Sequence, residues 1–585
     1  MNALREGRRL EFDPAAVNRK GPGSWTPAMY AALYGGADEM RLLLEKGADP
    51  NARNDAGGTA LMYAVDSPEK TALLLSHGAD VDARSGEGRT ALLIAAGRAG
   101  SSAVVNLLLK HGANPSARLS DGRTALSMAA GAGDADTLQF LLDRDADKKP
   151  LPLAAALPVG CARCFEMLLK FAEPGDLNSA LTAAVRSGNL QMTNMLLDRG
   201  ARAGSDLLSA VAQSSQPIPV DTVKALIRRG ADINGKTSTG GSVLDLAKRQ
   251  GPTALVDLLV EAGAMEKQPS SPPVAKPKPA GSVRAAIERS LPLLLRADVA
   301  FLAKAGCVSC HNNSLTTMTM TAARKSGIRV NEDAVRAQLR RVAAFLDDNR
   351  ERGLEGVGIP GGSDTAGYIL LGLAAGEYPP DPTTDVWAYY LKNRQLRDGN
   401  WGRQALRPPL EASDIEITAA AMRAVQKYGP PSRRAEYDRA VQLAVAWLEK
   451  AQPKTNEDRV FQILGMTWGG GSREVIRKSG RDLIALQRPD GGWAQISSLA
   501  SDAYATGQAL VALTESRALT AASPAHRSGV RFLLNSQLED GSWYVRTRTL
   551  PIQPYFDSDF PHGPDQFISA AATNWASMAL ATAVR

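Results

Sequence analysis

Chemically reactive side chains are scarce in this chain. Its 585 residues include only four cysteines and five histidines, and aromatic residues make up 5% of it. So few aromatics argue against a cavity that stabilises carbocations, whereas the plentiful Ala, Leu and Gly suit closely packed helix pairs. No apolar run reaches 18 residues, which excludes a membrane-spanning helix. No Lys/Arg run accompanies the net charge of +7, so nothing resembles a nucleic-acid footprint. The opening residues, Met1-Asn2-Ala3-Leu4-Arg5-Glu6, lack the apolar core of a secretory signal. Hydrophobic content of 44% with 22% charged residues is ordinary for globular protein, and the length calls for two or more domains.

The scarce residues are unevenly placed. Cys307-Val308-Ser309-Cys310-His311 gathers two of the four cysteines and one of the five histidines. Cys-x-x-Cys-His reads as a c-type haem attachment site. Two thiols one helical turn apart would each add to a vinyl group of the porphyrin, and the adjacent His311 would ligate the iron. The cofactor expected is therefore covalent haem c on Cys307, Cys310 and His311. Candidates for the sixth iron ligand are Met318, Met320 and His562, with His526, Met422 and Met466 more remote. For Met318 and Met320 the competing reading is core packing. Haem c is attached outside the cytoplasm, so the motif predicts a periplasmic or other extracytoplasmic location. The missing signal leaves the cytoplasm as the alternative, or a start that has been shortened.

A period of about 33 residues runs through the first half. Thr26-Pro27-Ala28, Thr59-Ala60-Leu61, Thr90-Ala91-Leu92 and Thr124-Ala125-Leu126 each precede an Ala-rich helix, a Leu-rich helix and a turn such as Gly47-Ala48-Asp49 or Gly78-Ala79-Asp80. Later units end at Gly200-Ala201, Gly230-Ala231-Asp232 and Gly263-Ala264. The Thr would cap the first helix, and the Gly would end the second in a left-handed conformation. The pattern resembles ankyrin repeats, about eight units over 20–264 behind an N-terminal extension at 1–19. That resemblance implies a protein partner on the concave face. The alternatives are a spacer, or an intramolecular dock for the C-terminal half. Cys161-Ala162-Arg163-Cys164 lies inside the array, and buried thiols or a structural disulfide outweigh an active role there. Residues 265–282, rich in Pro, Lys and Ser, form a linker.

From 283 to 585 the pattern is one of paired helices. Gln395-Leu396-Arg397-Asp398-Gly399-Asn400-Trp401, Gln487-Arg488-Pro489-Asp490-Gly491-Gly492-Trp493 and Gln537-Leu538-Glu539-Asp540-Gly541-Ser542-Trp543 repeat one turn. Asp-Gly turns the chain, Trp stacks on the preceding helix end, and Gln reaches backbone. A second helix follows each turn and opens with an acid, as at Asp364, Asp414, Glu457-Asp458, Asp502 and Asp565. Hairpins are expected at 283–327, 331–377, 383–429, 436–470, 472–517 and 524–582. The turn resembles the repeat motif of squalene and oxidosqualene cyclases and, more loosely, of protein prenyltransferase β-subunits. That resemblance implies a six-hairpin α/α toroid, with 307–311 on the turn of hairpin one at a rim. The fold class is thus all-α: ankyrin-type solenoid, Pro-rich linker, α6/α6 toroid.

The resemblance does not carry the cyclases' chemistry. The Asp-x-Asp-Asp acid of the cyclases and the zinc set of the prenyltransferases are missing, and fold alone does not license function. The nearest acid pair is Asp557-Ser558-Asp559, a weak catalytic candidate for which a solvated or capping role competes. The sequence favours an exported haem c protein for electron transfer or redox sensing, whose array binds a protein. A terpenoid-cyclase-like enzyme and a cofactor-free scaffold are the alternatives.

Overall fold

The computed structural model describes residues 2–8, 16–144, 148–202, 204, 206–214, 218–237, 241–267, 276–305, 308, 311–403, 407–550 and 555–584. Among these residues every regular element is a helix, and extended pairing is limited to isolated bridges. None of the helices is long and apolar enough to cross a membrane.

The N-terminal half is a stack of helix pairs. The first helices Pro27–Tyr34, Ala60–Tyr63, Ala91–Ala96 and Ala125–Gly131 are almost wholly buried, because Ala residues let neighbouring units approach closely. Each Thr ahead of them sits at the N-cap, but only Thr90 and Thr124 accept a backbone N–H there. The second helices, among them Ala37–Glu45, Pro68–Ser76 and Ser102–Lys110, end in one recurring motif. Ala48, Ala79 and Ala113 donate to the carbonyls of Leu43, Leu74 and Leu108 across a left-handed glycine.

The C-terminal half is a closed ring. Its inner helices are Asn313–Lys325, Gly362–Ala375, Asp414–Tyr428, Asn456–Gly469, Ala503–Glu515 and Gln566–Ala581. Among the described residues each packs on the next, and the last packs on the first. Outer helices Val283–Ala305, Glu332–Asp348, Pro382–Lys392, Arg434–Lys450, Arg473–Ile484 and Pro524–Ser536 stand behind them. These are the outer and inner members of hairpins one to six.

The repeated turn shows how the ring closes. Trp401, Trp493 and Trp543 bury their rings and donate Nε1–H to the carbonyls of Leu391, Leu483 and Leu533, ten residues back on the outer helix. Their backbone N–H groups reach Thr418, Thr506 and Thr573 on the inner helix. The Gln amides hold their own turns and also donate to the next hairpin, at Ala440, Ala525 and Ala286. The Ala286 contact joins hairpin six to hairpin one. Residues 268–275 of the linker lie outside the described residues; Lys278, just after them, donates its backbone N–H to Gln537 O at 2.8 Å.

The array docks on the ring. In its first three units the first helices and the turns before them, the concave face, carry contacts. Tyr34 donates to Asp385, Tyr63 to Glu351 at 2.8 Å, and Ser85 to Glu355 at 2.7 Å. Farther along, Arg397 reaches Asp134 and Asp136, Arg403 reaches Ser187 O, and Arg249 reaches Thr549 O. Apart from Asp385, these ring residues lie where outer helices hand over to inner ones. Most of these contacts therefore lie at the rim at which the inner helices begin, while Arg433, past the end of the third inner helix, holds Leu33 O and Asp66.

Candidate functional site

That rim leads into a buried polar cluster. Parallel inner helices bring their N-termini together, and acids at or just before those N-termini converge. His311 immediately precedes the first inner helix and is 5% exposed. Its Nδ1 lies 3.6 Å from Glu411 Oε1 and its Nε2 3.6 Å from Glu416 Oε1. The imidazole rests on Tyr368, with ring centres 4.6 Å apart. Tyr368 donates to Glu416 at 2.6 Å, while Tyr504 and Gln508 donate to Glu457. Tyr368, Phe461 and Trp575 form an edge-to-face series through the interior.

Burial sets the protonation of this cluster. It pushes the Glu416 carboxyl up, reinforced by the charge of Glu411, and pushes Glu457 up, reinforced by Glu416. Burial pushes His311 down, against the pull of Glu411, so the neutral imidazole is favoured. Asp502, at the start of another inner helix, is raised to about 6 by burial. The result is a neutral imidazole beside Glu416, with Glu416 and Glu457 both favoured in the protonated form. Behind His311, Asn313 donates to Asp298 of outer helix one, and Gln338 donates to the same carboxyl at 3.1 Å. Burial lifts Asp298 to about 8. This contact fixes where the first inner helix begins.

Cys307 and Cys310 lie outside the described residues. Met320 is buried and Met318 half-buried, both within the ring's apolar packing. His562 exchanges a 2.8 Å hydrogen bond with Ser542 and stacks edge-on against Tyr544. His526 bonds Thr582, past the end of the last inner helix, which is the rim opposite His311. Met422 and Met466 pack at Gly469 and Gly471, toward that same far rim. Asp557 and Asp559 do not form an enclosed acid pair. Both are exposed, and Lys304 pairs with Asp559 and donates to Asp557 O. The enclosed acids are Glu411, Glu416 and Glu457, whose donors are Arg407, Tyr368 and Tyr504 in turn. Their signal in the sequence was the acid recurring at inner-helix openings, which also reads as ordinary helix capping.

A family model described as "Ankyrin repeats (3 copies)" matches residues 8–85 and 66–151. The array is built of ankyrin repeats through residue 151. A 64-residue stretch is 45% identical to the transient receptor potential cation channel subfamily A member 1 homolog of Caenorhabditis elegans. It covers 11% of this chain and 5% of that protein, so the chain spans a small fraction of the relative's length. Ankyrin repeats imply protein–protein interaction, and the face they present here holds the chain's own ring.

Proposed function

We propose that this chain is a haem c protein for electron transfer or redox sensing, with the ankyrin array clamped on the ring that bears the cofactor. Cys307 and Cys310 would form the thioether links and His311 would be the axial ligand. The environment of His311 carries the reading. Iron-ligating histidines are neutral and present their other ring nitrogen to a carboxylate or carbonyl. His311 is held neutral by burial, with Nδ1 facing Glu411. Bound there, haem supplies one-electron chemistry. The chain's own part is to fix the imidazole between Glu411 and Tyr368 and to keep it from bulk water. The Cys161–Cys164 disulfide is in keeping with the oxidising compartment in which haem c is attached. The ring is the array's partner in cis, and an external protein would use the face of the second helices.

The test is expression with an export leader and the haem c maturation machinery. The expected product carries a covalent c-type absorption spectrum, lost in Cys307→Ala/Cys310→Ala. A wild-type chain that acquires no covalent haem would overturn the reading. A second reading, an acid catalyst of the terpenoid-cyclase kind, rests on the proton-holding Glu416 and Glu457 beside Tyr368, Phe461 and Trp575. Turnover of a polyprenyl substrate by the haem-free chain, abolished in Glu416→Gln, would favour it.

A further inference from the structure

The second cysteine pair is placed for exchange chemistry. Cys161 and Cys164 are joined as a disulfide across the start of helix Ala162–Leu169. The two sulfurs are not equivalent. Cys164 is fully buried, whereas Cys161 is half-buried and caps the helix. Its Sγ accepts the Cys164 backbone N–H at 3.1 Å. An amide donor and a helix N-terminus both stabilise a thiolate released at Cys161. Cys161 is thus the less buried residue of the pair, and Cys164 is shielded.

The pair also sits where array meets ring. Arg163, between the two cysteines, lies 3.2 Å from Asp136 Oδ1. The other oxygen of Asp136 accepts from Arg397, in the Asp-Gly turn of hairpin three, at 2.9 Å. Arg397 also reaches the buried Asp134 at 2.9 Å. On the other flank, a methyl group built on Gly402 of the ring would touch Pro158 and Val159, just ahead of Cys161. The disulfide loop is therefore gripped on both sides by the turn region of hairpin three.

We infer that Cys161–Cys164 is a thiol–disulfide exchange site for a dithiol, attacked at Cys161, whose redox state is felt at the contact between the array and hairpin three. A thiolate of the incoming dithiol forms a bond to Cys161 Sγ. The Cys161–Cys164 bond breaks, and Cys164 leaves as a thiolate that takes up a proton. The second thiol of the dithiol, as its thiolate, then attacks the partner sulfur of the mixed disulfide and releases Cys161. The dithiol is oxidised to a disulfide, and two electrons pass to the cysteine pair. Opening the disulfide frees the turn that carries Arg163, and with it one side of the Asp136 bridge. This site is separate from His311 and does not depend on haem.

The test uses the full chain, with peptide-resolved mass spectrometry to separate this pair from Cys307 and Cys310. Dithiothreitol at pH 7, without denaturant, is expected to reduce the pair. Cys164→Ser treated with glutathione disulfide is expected to trap a mixed disulfide at Cys161. Cys161→Ser should trap one at Cys164 about tenfold more slowly or worse. If either variant misfolds, limited reduction of the wild type followed by alkylation should label Cys161 ahead of Cys164. Amide exchange over 395–403 should quicken on reduction, and Arg397→Ala should quicken it without reduction. Resistance to dithiothreitol until the chain unfolds, or equal reactivity of the two sulfurs, would overturn the exchange site. Unchanged amide exchange on reduction would overturn its link to docking.

Discussion

Arg433, between hairpins three and four of the ring, places its guanidinium 2.6 Å from the carboxylate of Asp66 in the ankyrin array, with side chains 8% and 5% exposed. Arg433 also donates to Leu33 O and to Glu436. Two surfaces that met only transiently would not bury such a pair. Burial by itself would push the Asp66 carboxyl up, but Arg433, Lys70 and Lys392 outweigh it and hold the group well below the usual carboxylate range. The array and the ring are electrostatically one body at this point.

Removing one member should be costly. Arg433→Met leaves Asp66 buried without its main counter-charge and should destabilise the docked chain by about 3–5 kcal/mol at pH 7. The sign with pH follows from the lowered carboxyl. Its stabilisation is full above the unfolded value of about 4 and is lost as pH falls below that. Denaturant titrations of both proteins at pH 7 and pH 3 should show the gap between them shrinking at pH 3.

Glu355 should act in the opposite sense. It is buried against Ser85 and Arg89 of the array, and burial raises its carboxyl to about 7. A raised acid favours the folded state while protonated, so its contribution falls as pH rises from about 4.5 to about 7. The full span is about 3 kcal/mol at most. Glu355→Gln should flatten this part of the profile and should be the more stable protein at pH 8. Thermal melts across pH 5–8 measure both effects.

Ring closure depends on Gly541. Its φ is +90°, and a β-carbon there would lie 2.5 Å from Arg289 O on outer helix one. Gly541→Ala should therefore cost about 3 kcal/mol or more, through both backbone strain and a clash across the closing seam. Gly470 shares the left-handed conformation, at φ +75°, but a β-carbon there meets nothing within 4 Å. Gly470→Ala should cost only about 1–2 kcal/mol. Equal losses in the two variants would show that the seam is not where the strain is felt.

Gly251 is the corresponding contact at the far end of the array. A β-carbon on it would clash with Ser498 O of the ring, and its φ is +81°. Gly251→Ala should lift the last repeat off hairpin five. Amide exchange over 243–262 should quicken by about tenfold or more, while the ring's inner helices keep their protection.

Much of the architecture was written locally. The 33-residue period with its Thr, Ala and Gly positions specifies ankyrin repeats, because each unit packs only on its neighbours and must repeat the same contacts. The Gln-x-x-Asp-Gly-x-Trp turn fixes where outer helices hand over to inner ones, through bonds made almost entirely within one hairpin or to the next. His311 was legible as the one histidine beside paired cysteines. Glu411, Glu416 and Glu457 were not, since an acid at a helix opening has a sufficient local reason to be there. Nor was the docking of the array, in which Asp66, Glu351, Glu355 and Arg433 meet partners some 270 to 400 positions away. The sequence alone determined the helices, their repeats and the order of the hairpins, because those depend on short-range spacing. Only the tertiary structure decided which acids lose their water, which cysteine of the pair is the less buried, and what occupies the concave face. Burial and charge pairing are properties of surfaces that come together after the helices have formed.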